Sequence, residues 1–300
     1  MECPLCKSQK INIVQKVKRK DLVNLNKKLT KEDFSYLIHS DLSFCECLEC
    51  NLKYFEPFIT GDEKFYNLLQ NFEWYYFDVK NEFDVAKKYI KPSDKVLEVG
   101  SGKGNFAKYL NLKNYVGLDF SVKAKQMALQ NGILVENQSI EEYSKLHQEQ
   151  FDCVVSFQVL EHVKNPKEFI EAKLEALKKG GKLIIAVPNE ASFAADSSNN
   201  TLNMPPHHLT RWKKEVFEYI AKMFNLKILE INAEKVQPMH VKFWIATKIQ
   251  KQFILPKLVD LTLKRNIVSK FSYLLATLLK PFVKKSNLPI GHTITAVFEK

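Results

Sequence analysis

The stretch Val96-Leu97-Glu98-Val99-Gly100-Ser101-Gly102-Lys103-Gly104 constrains this chain more than any other. A short apolar run meets three glycines at alternate positions, and a helical pattern follows. Such a run reads as a buried strand feeding a tight turn. Glycine accepts φ > 0 and lets a ligand approach the backbone closely. Nineteen residues after Gly100, Asp119 ends a second apolar run, Tyr115-Val116-Gly117-Leu118. In an open parallel sheet that spacing places a carboxylate where it can accept hydrogen bonds from the hydroxyls of a ribose. The glycine spacing is G-x-G-x-G, not the G-x-G-x-x-G of dinucleotide folds. A hydride-transfer site is not found, which argues against an oxidoreductase.

Around this loop, short apolar runs alternate with amphipathic stretches, the pattern of a parallel sheet with helices on both faces. Strands are expected at 95–99, 115–118, 133–135, 152–157, 182–187 and 226–231, with a last one at 293–298. Helices are expected at 105–110, 122–130, 166–178 and 213–223. Asn165-Pro166 reads as a helix start and Gly180-Gly181 as a helix stop. The expected organisation is a cysteine-bearing segment over 1–60 and a helical aromatic connector over 61–92 (Phe65, Tyr66, Trp74, Tyr75, Tyr76, Phe83). The α/β domain follows over 93–235 and 290–300, interrupted by a basic helical insertion over 236–289.

With an acid two residues before its first glycine, the loop resembles the first motif of the class I S-adenosylmethionine-dependent methyltransferases, E/D-x-G-x-G-x-G. Downstream, Phe151-Asp152-Cys153-Val154-Val155-Ser156-Phe157-Gln158-Val159-Leu160-Glu161-His162-Val163 and Leu177-Lys178-Lys179-Gly180-Gly181-Lys182-Leu183-Ile184-Ile185-Ala186-Val187-Pro188-Asn189 resemble later motifs of the same family, in the same order. The likeness covers roughly residues 93–231 and the last ten. It implies a Rossmann-like sheet and S-adenosylmethionine as cofactor. It also implies roles for particular residues. Gly100, Gly102 and Gly104 line the methionine part of the cofactor, and Glu98 orders the loop and holds the amino group through water. Asp119 takes the ribose, Ser139 and Ile140 flank the adenine, and Gln158 lies beside the sulfonium.

Methyl transfer is an in-line displacement with an excellent leaving group, so much of the catalysis can come from alignment. An oxygen or carbon acceptor additionally needs a base. The candidate stretch is Asn203-Met204-Pro205-Pro206-His207-His208-Leu209-Thr210-Arg211-Trp212. It follows the fifth strand of the domain, on the side where open sheets bind ligands. His208 matches the last histidine of a Tyr-His-Glu-His pattern in zinc-containing sugar C-methyltransferases, although the tyrosine and glutamate are absent here. His207 and His208 are the candidate catalytic residues; a helix cap or a stack on Trp212 is the structural alternative for His208. Glu161-His162 resembles the end of a Glu-x-x-Glu-His metal motif in ubiquinone-pathway O-methyltransferases. Gln158 stands at its first position, and an amide is a weaker ligand for a hard cation. No catalytic metal is therefore read here, and His162 reads as a packing residue.

Cys3-Pro4-Leu5-Cys6 and Cys47-Leu48-Glu49-Cys50 have zinc-ribbon spacing, two C-x-x-C knuckles across a long loop. Four thiolates leave no open position, so this zinc is structural. It suits a short segment that cannot build its own core. Cys45 is a spare that could replace Cys47, and Cys153 reads as buried packing.

The net charge of +11 is concentrated late: residues 242–285 hold ten Lys or Arg against one acid, Asp260. Within that segment Ile267, Phe271, Leu274, Leu275, Leu278 and Leu279 form one helical stripe, with Lys264, Arg265, Lys270 and Lys280 off it. An apolar face beside a basic one suits an anionic membrane interface. Packing on the sheet or on a second subunit uses the same pattern, and the oligomeric state is not legible. Neither a signal peptide nor a membrane-spanning run is read, so the expected location is cytoplasmic, with peripheral contact at the inner membrane face as the variant. A small-molecule acceptor is expected: a sugar, a glycan intermediate or a lipid-linked precursor. Exocyclic-amine nucleic-acid enzymes carry Asn/Asp-Pro-Pro-Tyr/Phe where this chain has Phe157-Gln158-Val159-Leu160, and stacking aromatics for single strands are missing. Nucleic acid is the disfavoured alternative, together with a non-enzymatic zinc-ribbon protein on a methyltransferase scaffold.

Overall fold

The computed structural model describes residues 1–69 and 80–300. Trp74, Tyr75 and Tyr76 of the expected aromatic connector lie outside the described residues. The chain opens with β1 (Ile11–Val17), α1 (Arg19–Thr30), β2 (Leu42–Cys47) and β3 (Lys53–Glu56), then α2 (Glu63–Leu69) and α3 (Asn81–Lys87). The alternating part runs β4 (Val96–Val99), α4 (Asn105–Leu110), β5 (Tyr115–Leu118), α5 (Val122–Gln130), β6 (Val135–Glu136), α6 (Ile140–Leu146), β7 (Phe151–Phe157), α7 (Pro166–Ala176) and β8 (Leu177–Pro188). After it come β9 (Thr210–Arg211), α8 (Lys214–Met223), β10 (Lys227–Lys235), α9 (Val241–Phe253), α10 (Leu263–Leu279) and β11 (Ile290–Glu299).

Seven strands form one sheet in the order β10-β11-β8-β7-β4-β5-β6. Strands β4 to β8 pair in parallel, and β11 is antiparallel to both its neighbours. Winding proceeds outward from β4 to β6, then returns to β7 beside β4. The crevice between the carboxyl ends of β4 and β7 is therefore the switch point where such sheets bind ligands. The inner strands are mostly apolar because both faces are covered. Leu97, Val154, Leu183 and Ile185 pack to one side, and Val96, Cys153, Val155 and Ile184 to the other. Cys153 is core packing, as its alternation suggests.

Several local expectations shift. Asn165 makes no side-chain cap to α7; it reaches Glu168 instead. Gly180-Gly181 does not stop the helix, which ends at Ala176. Both glycines lie within β8, in a loop-out between the pairings Phe151 with Leu177 and Cys153 with Lys182.

A second sheet, β1-β2-β3-β9, joins the N-terminal segment to a distant strand, with Tyr54 paired to Thr210 and Lys53 to Arg211. The segment is not coreless: Val17, Leu22, Leu42, Phe44 and Phe55 pack together with Met204 and Leu258. Nor is it separate, because Leu5 and Leu52 are continuous with the main core around Trp212 and Phe217.

The insertion is a pair of helices, α9 and α10. The side of α10 that faces α9 carries small and polar residues: Ala276 packs near Ile245 and Ala246, and Gln250 donates to Ser272 Oγ at 2.9 Å. Arg265, expected among the surface cations, is buried. The apolar stripe of Ile267, Phe271, Leu274 and Leu278 faces outward, with Leu274 63 % exposed. Packing of that stripe on the sheet is thereby excluded. No helix among the described residues is long and apolar enough to cross a membrane.

Candidate active site

A cleft of about 1450 Å³ opens at the switch point. One end is built by the turn after β4. Gly100, Gly102 and Gly104 all have positive φ, at 76°, 53° and 79°. The Gly102 amide donates to Asp119 Oδ2 at 2.7 Å, and Asp119 Oδ1 accepts from Ser121 N at 2.8 Å. The carboxylate thus ties the end of β5 to the glycine turn, and burial raises its pKa above the usual carboxylate value. Gly100, Gly102, Asp119 and Gln158 all line the cleft. Gln158 sits at the end of β7 with φ 60° and donates from Nε2 to Glu82 at 3.2 Å. Glu82, on α3, is a buried cleft residue for which the sequence offers no signal.

Four expected cofactor residues stand elsewhere. Glu98 is buried behind the turn, where it accepts a hydrogen bond from the Tyr115 hydroxyl; burial pushes its pKa up to about 8. Gly104 begins α4, and a Cβ there would meet Ile133 at 2.8 Å, so this glycine serves packing. Ser139 caps α6, accepting from Glu142 N at 3.1 Å, and Ile140 is buried in the main core. None of the four lines the cleft. The turn after β6 lies at the carboxyl edge of the sheet, where Asn137 Nδ2 donates to the Asp119 carbonyl at 3.0 Å, and there its serine caps α6 and its isoleucine packs into the core.

The other end of the cleft is built from two segments. His207 and His208 come from the loop between β8 and β9, and Glu161 and His162 from the turn after β7. The Leu209 amide donates to the Glu161 carbonyl at 2.8 Å, which locks the segments together. The imidazoles meet: His207 and His208 stack at 4.4 Å, and His162 lies edge-on to them at 4.7 and 4.9 Å. His208 neither caps α8 nor stacks on Trp212. His162 packs, as expected, but against the other two imidazoles; its partner His207 lies 45 residues on, beyond any local pattern. Tyr66 of α2 stands 6.0 Å from His162 and 6.3 Å from His207.

Burial lowers His162 to about 4. Burial, with the His162 charge, lowers His207 to about 3. His208 is driven down by burial and by both neighbouring imidazoles. Burial also raises Glu161 to about 8. The approaches of Glu161 Oε1 to His162 and His208, at 3.8 and 3.9 Å, are therefore contacts between neutral groups rather than ion pairs.

A glycine turn followed by an acid at the end of the next strand, at the switch point of a parallel sheet, suits a methyltransferase domain. The methyltransferase-domain family matches residues 75–231, just over half of the chain. This chain belongs to that family. A ubiquinone biosynthesis O-methyltransferase of Dechloromonas aromatica is 30% identical over 165 residues, covering 50% of this chain and 71% of the relative. The uncharacterized protein MJ1123 of Methanocaldococcus jannaschii is 38% identical over 114 residues, and the chain spans 54% of its length. The fold is that of a SAM-dependent methyltransferase from Archaeoglobus fulgidus, with a TM-score of 0.50 at 17% identity, covering 80% of this chain and all of that one.

Ahead of the methyltransferase domain, Cys3, Cys6, Cys47 and Cys50 bring four sulfurs within 4.8 Å of one another. Cys3 and Cys50, and Cys6 and Cys47, are 3.5 Å apart at Sγ, and all the cysteines are free. A tetrahedral zinc with Zn–S bonds of about 2.3 Å separates its sulfurs by about 3.8 Å, so the donors fit that ion. The two knuckles share one backbone design. Lys7 N bonds to Cys3 O and Asn51 N to Cys47 O, with Lys7 and Asn51 both left-handed. Cys45 stays outside the cluster, with its sulfur against Met1 Sδ. The centre braces the methyltransferase domain, since its sheet continues through β3 into β9, next to His208.

Proposed function

We propose that this chain transfers a methyl group from S-adenosylmethionine to a small-molecule acceptor held against His162, His207 and His208. The observation that carries this reading is the cleft itself. It has a cofactor-type glycine and acid pair at one end and a converging set of imidazoles at the other. When bound, S-adenosylmethionine supplies a methyl on a sulfonium whose sulfur leaves as a neutral thioether and needs no acid. Asp119 accepts from the ribose hydroxyls with the lone pairs its two backbone donors leave over. Gly102 leaves room for the methionine, and Gln158 lies beside the sulfur. Tyr66 and the histidine loop exclude water and orient the nucleophile. His208, with His207 beside it, receives or directs the acceptor's proton. Its neutral imidazole has a lone pair available for this, although burial weakens it as a base.

The acceptor we favour is a sugar, glycan intermediate or lipid-linked precursor, methylated at oxygen or carbon. The outward apolar stripe on α10 favours the lipid-linked choice, because it can rest on an anionic bilayer while the cleft stays in water. Untargeted mass spectrometry of metabolite extracts incubated with enzyme and S-adenosylmethionine tests the reading. A product heavier by one CH2 is expected. His208→Ala should lower turnover by about 10²-fold while calorimetry shows cofactor binding intact. Failure of the wild-type protein to bind either S-adenosylmethionine or S-adenosylhomocysteine overturns it.

A further inference from the structure

We propose that Glu161, His162, His207 and His208 form a binding site for a divalent transition-metal cation at the acceptor end of the cleft. The site is separate from the thiolate centre and uses a different donor chemistry. Its ring nitrogens are already sorted. His162 Nδ1 lies 2.6 Å from the His207 carbonyl, His207 Nδ1 lies 2.8 Å from the Leu202 carbonyl, and His208 Nδ1 lies 3.2 Å from Asn203 Oδ1. An oxygen acceptor at each Nδ1 places the proton there and puts the lone pair on Nε2. This is how outer-shell partners fix the tautomer of metal-bound histidines. The three rings offer ligand atoms that all lie within 4.8 Å of one another.

The second observation is Glu161. It is 1 % exposed, and neither of its carboxyl oxygens has a hydrogen-bond partner among the described residues. Oε1 stands 3.8 Å from His162 Nε2 and 3.9 Å from His208 Nε2, outside hydrogen-bond range of both. A buried carboxyl group without a donor is costly unless something else takes its lone pairs. A cation bridging Glu161 and the imidazoles does so. Metal–nitrogen bonds of about 2.0–2.1 Å bring ligand atoms to about 3–4 Å from one another, so the three imidazole donors, now within 4.8 Å, must draw together to hold the ion, with Glu161 Oε1 beside two of them. Three imidazoles and one carboxylate suit zinc, iron(II), cobalt or nickel, whereas magnesium and calcium take oxygen-rich shells. Because all four residues line the cleft, a further coordination position can face the acceptor.

The mechanistic consequence rests on the proposed methyl transfer; the site itself does not. With the cation bound, His208 Nε2 is a ligand and no longer free to act as the base, so an acceptor hydroxyl on the cation, made more acidic, releases its proton to cleft water instead. The oxygen lone pair then forms the bond to the methyl carbon as the carbon–sulfur bond breaks and its electron pair stays on sulfur.

The test uses the full-length, tag-free protein with zinc in its thiolate centre, titrated with Co²⁺ in the absence of cofactor and acceptor. The expected result is one added equivalent of cobalt with the weak visible bands of nitrogen and oxygen ligands and no thiolate charge transfer. His162→Ala and His208→Ala should each weaken that binding at least about 100-fold, and Glu161→Gln at least about 10-fold. His208→Gln, which keeps a polar side chain of similar size, covers the case in which the alanine variant fails to fold. Wild-type protein that takes up no cobalt at submillimolar concentration, or only cobalt with thiolate charge transfer, overturns the site. Folded variants that keep wild-type affinity overturn the ligand assignment. Calorimetry with S-adenosylhomocysteine on the same samples separates the two readings: protein that binds it but not cobalt loses this inference and keeps the methyltransferase one.

Discussion

The Phe55 amide donates to the Leu209 carbonyl at 3.0 Å, so a residue of the cysteine-bearing N-terminal sheet is bonded to the neighbour of His208. Gly61 N to Pro206 O at 2.9 Å adds a second tie to the same loop. The N-terminal segment therefore acts as a brace for the acceptor end of the cleft.

Zinc removal should be felt at the histidines. Elemental analysis is expected to give about one zinc per chain in the thiolate centre, lost in Cys50→Ser. Hydrogen exchange over residues 207–211 should quicken in that variant, because β9 loses its support from β3. Zinc-free protein that is fully folded, with unchanged exchange in the loop, would refute both the centre and the brace.

The glycine turn and Asp119 should be needed for cofactor binding. Asp119→Ala removes an acceptor for the ribose and the tie to Gly102 N; hydrogen bonds to a charged group are worth about 1.5–3 kcal/mol each. Affinity for S-adenosylhomocysteine should fall at least about tenfold. Gly102→Val should also block binding, since a β-branched residue is strained at φ 53° in a turn that lines the cleft. Wild-type affinity by calorimetry in both variants would remove the assignment.

The exposed stripe on α10 should bind anionic bilayers. Ile267, Phe271, Leu274 and Leu278 supply the apolar face, and Lys264, Lys270 and Lys280 are exposed beside it. Co-sedimentation with phosphatidylserine vesicles is expected at low salt and should fade at high salt, because exposed charges are screened. Replacing the three lysines by glutamate, or Phe271 and Leu274 by serine, should abolish it. A dimer in solution that is broken by the serine changes, with no vesicle binding, would assign the face to a second copy instead.

Lys173 should make stability depend on pH. It is fully buried against Ser156 Oγ at 2.6 Å, and burial lowers it from 10.5 to about 7. Between pH 7 and 10.5 the unfolded chain holds a proton that the folded one lacks. Stability therefore rises with pH across that window, and this contribution is fully lost below about pH 7. The paired variant Lys173→Met, Ser156→Ala should lack the slope and gain most over wild type near pH 6, with the gain vanishing above 10.5. Urea unfolding at pH 6, 8 and 10 checks it; parallel curves for the two proteins would rule it out.

What the sequence determined by itself is what short-range physics specifies. The glycine turn needs its residues in consecutive positions, the knuckles need two residues between cysteines, and the strands β4, β5 and β7 need only an apolar run of the right length. Helices α4 and α5 were legible to the residue from periodicity and their flanking signals. What only the tertiary structure decided depends on segments far apart in the chain. His162 joins His207 and His208 because β7 and β8 are neighbours, and β9 is a strand only because β3 lies beside it. Ser139 has the chemistry of a ligand contact or of a cap, and the start of α6 claimed it. Periodicity revealed the stripe on α10 but not its surroundings. A helix pattern gives the direction of its faces relative to each other, while the packing of α9 on Ala276 and Ser272 decided which face meets water.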